Sequence, residues 1–509
     1  MVEVLYSLVN VNRRFDRLAL NCLYINNLNM IDTMTINSFY EQPCSIDAQV
    51  ISKVSDKILP RIHSQVHKLT IEEFSIKPIL LAANYPQLYS SSLINFQEEM
   101  LYQHLTGTAF NSIHDVILRN LLTKQITHLN IDIKKTIRQR TKIVSKIFAL
   151  ILSLCKNLTV LNFCDMLPTR RCLRPICYLP STNCMSLTLV KLTITVSCSL
   201  DCLYLSDGHL DSLSTLIINI SYIFGPKIPK DSQKKLLKLK CFSLSSPKIT
   251  VDYDDLIVPL LSQMVNLEEL KLYLLVQRFD STYIDGIQLC DQFLVYMTQL
   301  KKFTFNIKTN VSNIFRVKLP SNEDIQHSFI GRGYQQVTSY VHNDSMENKG
   351  KCLIYSVPYE FDYFFDLDNS FQGGIFHKVR YLTMDDTVPF EHKLFNVISE
   401  DFPFLEFLRI CNHYSPKTKE HSLTLITFPY LTLLDLQDAH DDYAELFLLK
   451  KNVHLPRLLN LSVQYKSLIT ITNNFTNDAM DLNSSKLKSL CVCQPFVSPE
   501  NFHEYFPLL

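Results

Sequence analysis

The chain of 509 residues is 47% apolar and sets 50 Lys and Arg against 49 Asp and Glu, a formal net charge of +1. Charge balanced in this way supplies no general attraction to nucleic acid or to an anionic membrane surface, and neither is expected as a partner. Nine glycines leave little room for Gly-rich phosphate loops, and the longest apolar run, Ile147 to Cys155, is too short to span a bilayer.

In chain order, residues 4–20 predict an amphipathic helix. Leu5, Leu8, Val11, Phe15 and Leu18 share one face, while Arg13, Arg14, Asp16 and Arg17 lie mainly elsewhere. Glu3 precedes the first apolar run and Arg13-Arg14 follows it, an order unlike that of a signal peptide. Residues 1–40 are read as one helical segment.

From residue 41 to 307 one phrase recurs: apolar-x-x-apolar-x-apolar. Clear copies end in Leu129-Asn-Ile131, Leu161-Asn-Phe163, Leu192-Thr-Ile194, Leu216-Ile-Ile218, Leu270-Lys-Leu272 and Phe303-Thr-Phe305. Looser ones sit at Leu69-Thr-Ile71, around Ser91 and Leu93, and at Phe242-Ser-Leu244. Segments of helical spacing stand ahead of many copies, such as Leu256, Leu260 and Met264 before Leu267. Each unit therefore reads as helix, turn and short strand. A unit of this size cannot bury its apolar side alone, so neighbours are expected to stack as a solenoid, with a parallel sheet on one face and helices on the other.

The spacing fails between Leu300 and Val379, an interval of 79 residues. Residues 308–378 are expected to form an irregular insert, either a hairpin of Gln336–His342 with Cys352–Tyr359 or two degenerate repeats. The phrase resumes from 379 to 509 in Leu382-Thr-Met384, Leu408-Arg-Ile410, Leu434-Asp-Leu436, Leu461-Ser-Val463 and Leu490-Cys-Val492. Twelve of the fourteen residues at the middle position of the triads are polar, which predicts strands with one apolar and one outward face.

Fifteen cysteines, many in or beside the triads, are read as small buried apolar residues and reduced thiols of a cytoplasmic or nuclear protein. No cysteine pair has His partners at zinc spacing, and no nucleophile–base pair emerges; no catalytic residue, cofactor or metal is expected. Asp366, Asp368 and Asn369 lack the Gly and Glu of a calcium loop and read as solvated. The runs from Lys134 to Lys146 and from Lys230 to Lys240 read as solvated helix faces, and Asp438, Asp441 and Asp442 as a surface loop. If the sheet lines a concave side, Lys271, Tyr273, Arg409, Asp435, Gln437 and Gln464 project into one partner-binding surface.

The Leu-rich helix of residues 4–20, with Arg13-Arg14-Phe15 and Leu18, resembles the second half of an F-box. With the repeats, the chain resembles the divergent F-box and leucine-rich-repeat proteins of small invertebrates. The Leu-Pro-x-Glu helix and Phe-x-x-Leu segment that open an F-box have no counterpart before Val2, and the regular Asn of ordinary leucine-rich repeats is missing. The last residues, Phe506-Pro-Leu-Leu509, match the start of the units at Phe402 and Phe428, as expected of a fragment or a degenerate member. The resemblance implies an α/β leucine-rich-repeat-like solenoid with a short F-box remnant. It implies that Leu5, Leu8, Val11, Arg14, Phe15 and Leu18 dock a Skp-type adaptor of a cullin ubiquitin ligase, and that the repeats hold a protein substrate. A free-standing repeat scaffold is the alternative.

Overall fold

The computed structural model describes residues 14, 26–31, 47–107, 112–134, 143–163, 186–205, 210, 212–225, 238–312, 317–344, 348–416, 425–478, 481–492 and 499–509. The chain divides into two compact units, Met1–Arg278 with Gly286–Ile307, and Phe279–Asp285 with Lys308–Leu509. Both are α/β, with parallel strands and intervening helices.

The first unit holds β1 (Asn27–Asn29), β2 (Lys68–Glu72), β3 (Ser90–Phe96), β4 (His128–Ile133), β5 (Val160–Phe163), β6 (Lys191–Cys198), β7 (Thr215–Tyr222), β8 (Cys241–Thr250), most of β9 (Glu269–Phe279) and the start of β10 (Lys302–Ser312). They adjoin in sequence order. Every pair from β1 to β9 is parallel, and the triads set the register. Leu28, Leu69, Ser91, Leu129, Leu161, Leu192, Leu216, Phe242 and Leu270 are successive partners. A second row runs Ile71, Leu93, Ile131, Phe163, Ile194, Ile218, Leu244 and Leu272. No apolar member of either row is more than 2% exposed. The apolar run near Ile147 lies in helix α3 (Ile143–Leu154), after α1 (Glu98–Thr106) and α2 (Ile113–Lys124). Its Phe148 ring packs 5.2 Å from that of Phe163. Among the described residues no helix is long and apolar enough to cross a membrane.

Strand β1 departs from the expected helical segment 1–40. Asn27-Leu-Asn29 alternates like a strand, and pairing beside β2 lets Leu28 reach the core at 0% exposure.

Backbone bonds explain why the register holds. Two consecutive N–H groups at the head of each strand donate to one carbonyl of the strand before. Thr127 and His128 donate to Tyr89, Thr159 and Val160 to Thr127, Val190 and Lys191 to Thr159, and the step repeats through Ser214, Lys240 and Glu268. Lys240 thus lies at a strand head rather than on a helix face, and residues 230–237 lie outside the described set. Lys240 and Lys301 also flank Glu268, at 2.9 and 2.6 Å, and pull its carboxyl down to about 2.

The second unit carries an antiparallel pair, β11 (Val337–Asp344) with β12 (Lys349–Ser356), within the interval where the repeat phrase lapses. A six-stranded sheet follows: β13 (Tyr363–Leu367), β14 (Tyr381–Asp385), β15 (Phe407–Cys411), β17 (Leu433–Asp435), β19 (Asn460–Val463) and β20 (Ser489–Val492). Its strands are parallel, with β16 (Ile426–Thr427) and β18 (Val453–His454) as a separate pair. Leu382, Leu408, Leu434, Leu461 and Leu490 align, and the carbonyl step recurs from Asp362 through Arg380, Glu406, Thr432 and Leu459. Before β14 aromatic rings do the packing. Tyr359, Phe364, Phe371, Phe376 and Phe402 form one cluster, with Phe376 stacked on Phe402 at 4.6 Å.

The polar triad positions are less wet than the alternation predicts. Thr193, Thr304, Asp435 and Ser462 are buried, and most others are half-buried. Neighbouring strands lie about 4.8 Å apart, so side chains in one row shield and bond each other. Asn162 Nδ2 donates to Asn130 Oδ1 (2.6 Å), and Asn130 Nδ2 to Ser92 Oγ (2.8 Å).

Leu161→Ala, at the centre of the first row, is expected to cost about 2–5 kcal/mol by urea unfolding. Asn162→Ala, which removes one rung of the polar ladder, is expected to cost about 1 kcal/mol.

Candidate functional site

Four of the six residues expected to bind a partner come together in the second unit. The register places Thr383, Arg409, Asp435, Ser462 and Cys491 in one row across β14, β15, β17, β19 and β20. Arg409 lies 3.5 Å from Asp435 through Nε and donates from Nη2 to Asp438 Oδ2 at 2.5 Å. Just past the strand end, Gln437 Nε2 donates to Cys491 Sγ (3.4 Å), and Gln464 Nε2 donates to the Gln437 carbonyl (2.8 Å). Two helices follow these residues, α4 (Asp441–Leu448) and α5 (Tyr465–Thr472).

The row corrects one expectation. Asp435 is only 4% exposed and serves as an internal counter-ion, because its strand neighbour Arg409 covers it. Arg409 is 38% exposed and its partner Asp438 49%, so this pair faces solvent. Burial works against its charge, but Cys411, Asp435 and Asp438 hold its pKa above the ordinary guanidinium value. Asp438 thus pairs with Arg409, and Asp441 and Asp442 form the first turn of α4, capped by His440.

Lys271 and Tyr273 belong to the first unit. Lys271 is half-buried on β9, and Tyr273 is wholly buried. Period-2 alternation ends at Lys271, since every residue from Leu272 to Val276 is buried. Of the expected adaptor-docking residues, Leu5, Leu8, Val11, Phe15 and Leu18 lie outside the described residues; Arg14 is exposed.

Of the expected solvated loop Asn369 is exposed and Asp366 half-buried, but Asp368 is buried within a charge cluster. Lys308, 8% exposed, lies 2.6 Å from Asp366 Oδ2 and 2.8 Å from Asp368 Oδ2. Lys351 also reaches Asp368 (3.2 Å) and Asp386 (3.7 Å), and Asn369 bonds Asp386. The two aspartates lie at the end of β13, where their partners arrive from 58 and 17 residues away, a separation no local motif records. Burial opposes both charges, yet Lys308 and Lys351 hold the Asp368 carboxyl well below the usual carboxylate range. Asp366 and Asp368 in turn hold Lys308 above the ordinary ammonium value.

One further group carries metal-binding atoms. His104, His114 and Asp115 converge in the first unit, and among the described residues they are the only such set of three or more. Their spacing, ten residues from His104 to His114 between two helices, matches no zinc pattern readable in sequence. No family model matches the chain, and no curated protein matches it.

Because the folded-state pKa of Asp368 lies below its unfolded value, its pairing stabilises the fold above about pH 4 and the gain is lost as pH falls below that. Lys308→Met is expected to cost about 3–5 kcal/mol near neutral pH. Asp368→Asn is expected to flatten the acid limb of a plot of urea midpoint against pH.

Proposed function

We propose that the chain is a non-enzymatic, intracellular recognition protein, a leucine-rich-repeat-like solenoid that presents a protein substrate to a Skp-linked cullin ubiquitin ligase. The Arg409 edge is the observation that supports recognition. An arginine set between two carboxylates on packed parallel strands has little side-chain freedom left to lose on binding, and arginine is enriched among the residues that carry interface energy. Gln437 and Gln464 are fixed beside it through their hydrogen bonds. The adaptor half of the reading rests on the F-box resemblance of residues 4–20.

A second reading is a free-standing scaffold with the same recognition edge. It is favoured by β1, which draws residues expected in the helical module into the sheet.

The test is co-purification of the full chain with a purified Skp-type adaptor. Retention by the wild type, loss with Phe15→Asp and full retention with Arg409→Glu are the expected results. If the wild type does not retain the adaptor, the ligase reading is overturned and the scaffold reading stands.

A further inference from the structure

We propose that His104, His114 and Asp115 form a site for a divalent transition-metal ion of the zinc class. The site joins two helix ends. His104 lies in the last turn of α1, and His114 and Asp115 lie in the first turn of α2. Gly107 ends α1 with φ +71°, and a Cβ there would meet the Arg119 guanidinium at 2.5–2.7 Å. Arg119 donates to the Thr106 carbonyl, which ties the end of α1 to α2.

The donor atoms are close to a coordination sphere already. His104 Nδ1 is 2.6 Å from Asp115 Oδ1, His114 Nε2 is 3.3 Å from the same oxygen, and all three lie within 4.8 Å of one another. Tetrahedral zinc with bonds of about 2.0–2.2 Å separates its ligand atoms by about 3.3 Å. The His114–Asp115 spacing fits as it stands, and His104 has to retreat by about 0.7 Å. Two imidazoles and one carboxylate suit zinc rather than calcium or magnesium, which take oxygen ligands. Three protein ligands leave a fourth position for water.

The surroundings hold the carboxylate in place. Ser112 Oγ donates to Asp115 Oδ2 at 2.5 Å, which orients Oδ1 toward the two imidazoles. Asp115 has no exposed surface, and the His104 and His114 side chains are 8% and 12% exposed. A buried carboxylate of this kind requires a cationic or hydrogen-bonding partner. The competing arrangement is an Asp115–His104 ion pair with no metal.

The experiment is calorimetric titration of the chelator-treated full chain with Zn²⁺, together with X-ray absorption of the zinc-loaded protein. One ion per chain with only nitrogen and oxygen neighbours is expected. Ser112→Ala is expected to weaken binding about 10-fold and His114→Ala to weaken it further. Absence of stoichiometric binding overturns the site. So does sulfur in the zinc shell, which assigns the ion to cysteine thiols, or an affinity unchanged by His114→Ala. The absorption measurement uses the wild type alone, so it decides the matter even if a variant fails to fold.

Discussion

The double donation at each strand head is the constraint on which the rest depends. Thr159 and Val160 both close on the Thr127 carbonyl, and Leu459 and Asn460 both close on that of Thr432. A strand held there can pair with its neighbour in only one register, whatever length of chain led up to it. A one-residue slip would turn Leu161 and Phe163 away from the core and Asn162 into it, so burial and backbone bonding enforce the same alignment. Because the step uses backbone groups, it asks nothing of side chains at the strand head. Thr, Val, Ser, Lys and Glu all occupy it in the first unit.

This accounts for what the sequence revealed. The apolar triads were legible because in most of them two residues are buried together, and all lie on strands save that Leu436 follows the end of β17. The spacing between triads is irregular because helices and turns of different length can precede the same strand-head step. The replacement of triads by aromatics before β14 was illegible. Rings such as those of Phe376 and Phe402 fill space without any fixed period. The segment around Leu28 was misread because three residues are too few for a period to register.

The sites divide along the same line. Arg409 and Asp435 could be placed side by side from sequence, since both occupy the middle triad position of consecutive strands. Burial could not be read from that position. Tyr273 occupies the outward phase of β9 as Lys271 does, yet it sits where five successive residues are covered. Alternation reports which side of a strand a residue faces; it does not report what lies over that side.

The buried charges follow from a stricter rule. An ionised group withdrawn from water persists only beside a partner, and in both units that partner comes from another element. Lys308 finds Asp366 and Asp368 at the end of β13, and Asp115 finds His104 across a helix break. The two cases differ in what they leave open. Asp368 takes two lysines, so its charge is answered within the protein. Asp115 takes two imidazoles, groups that are neutral unless they bind a proton. A carboxylate beside two imidazoles is satisfied either by hydrogen bonds from the neutral rings and Ser112 or by a metal ion shared by all three ligands. Placing both histidines against one carboxylate oxygen brings three metal-ligand atoms to one point, the arrangement a shared ion uses.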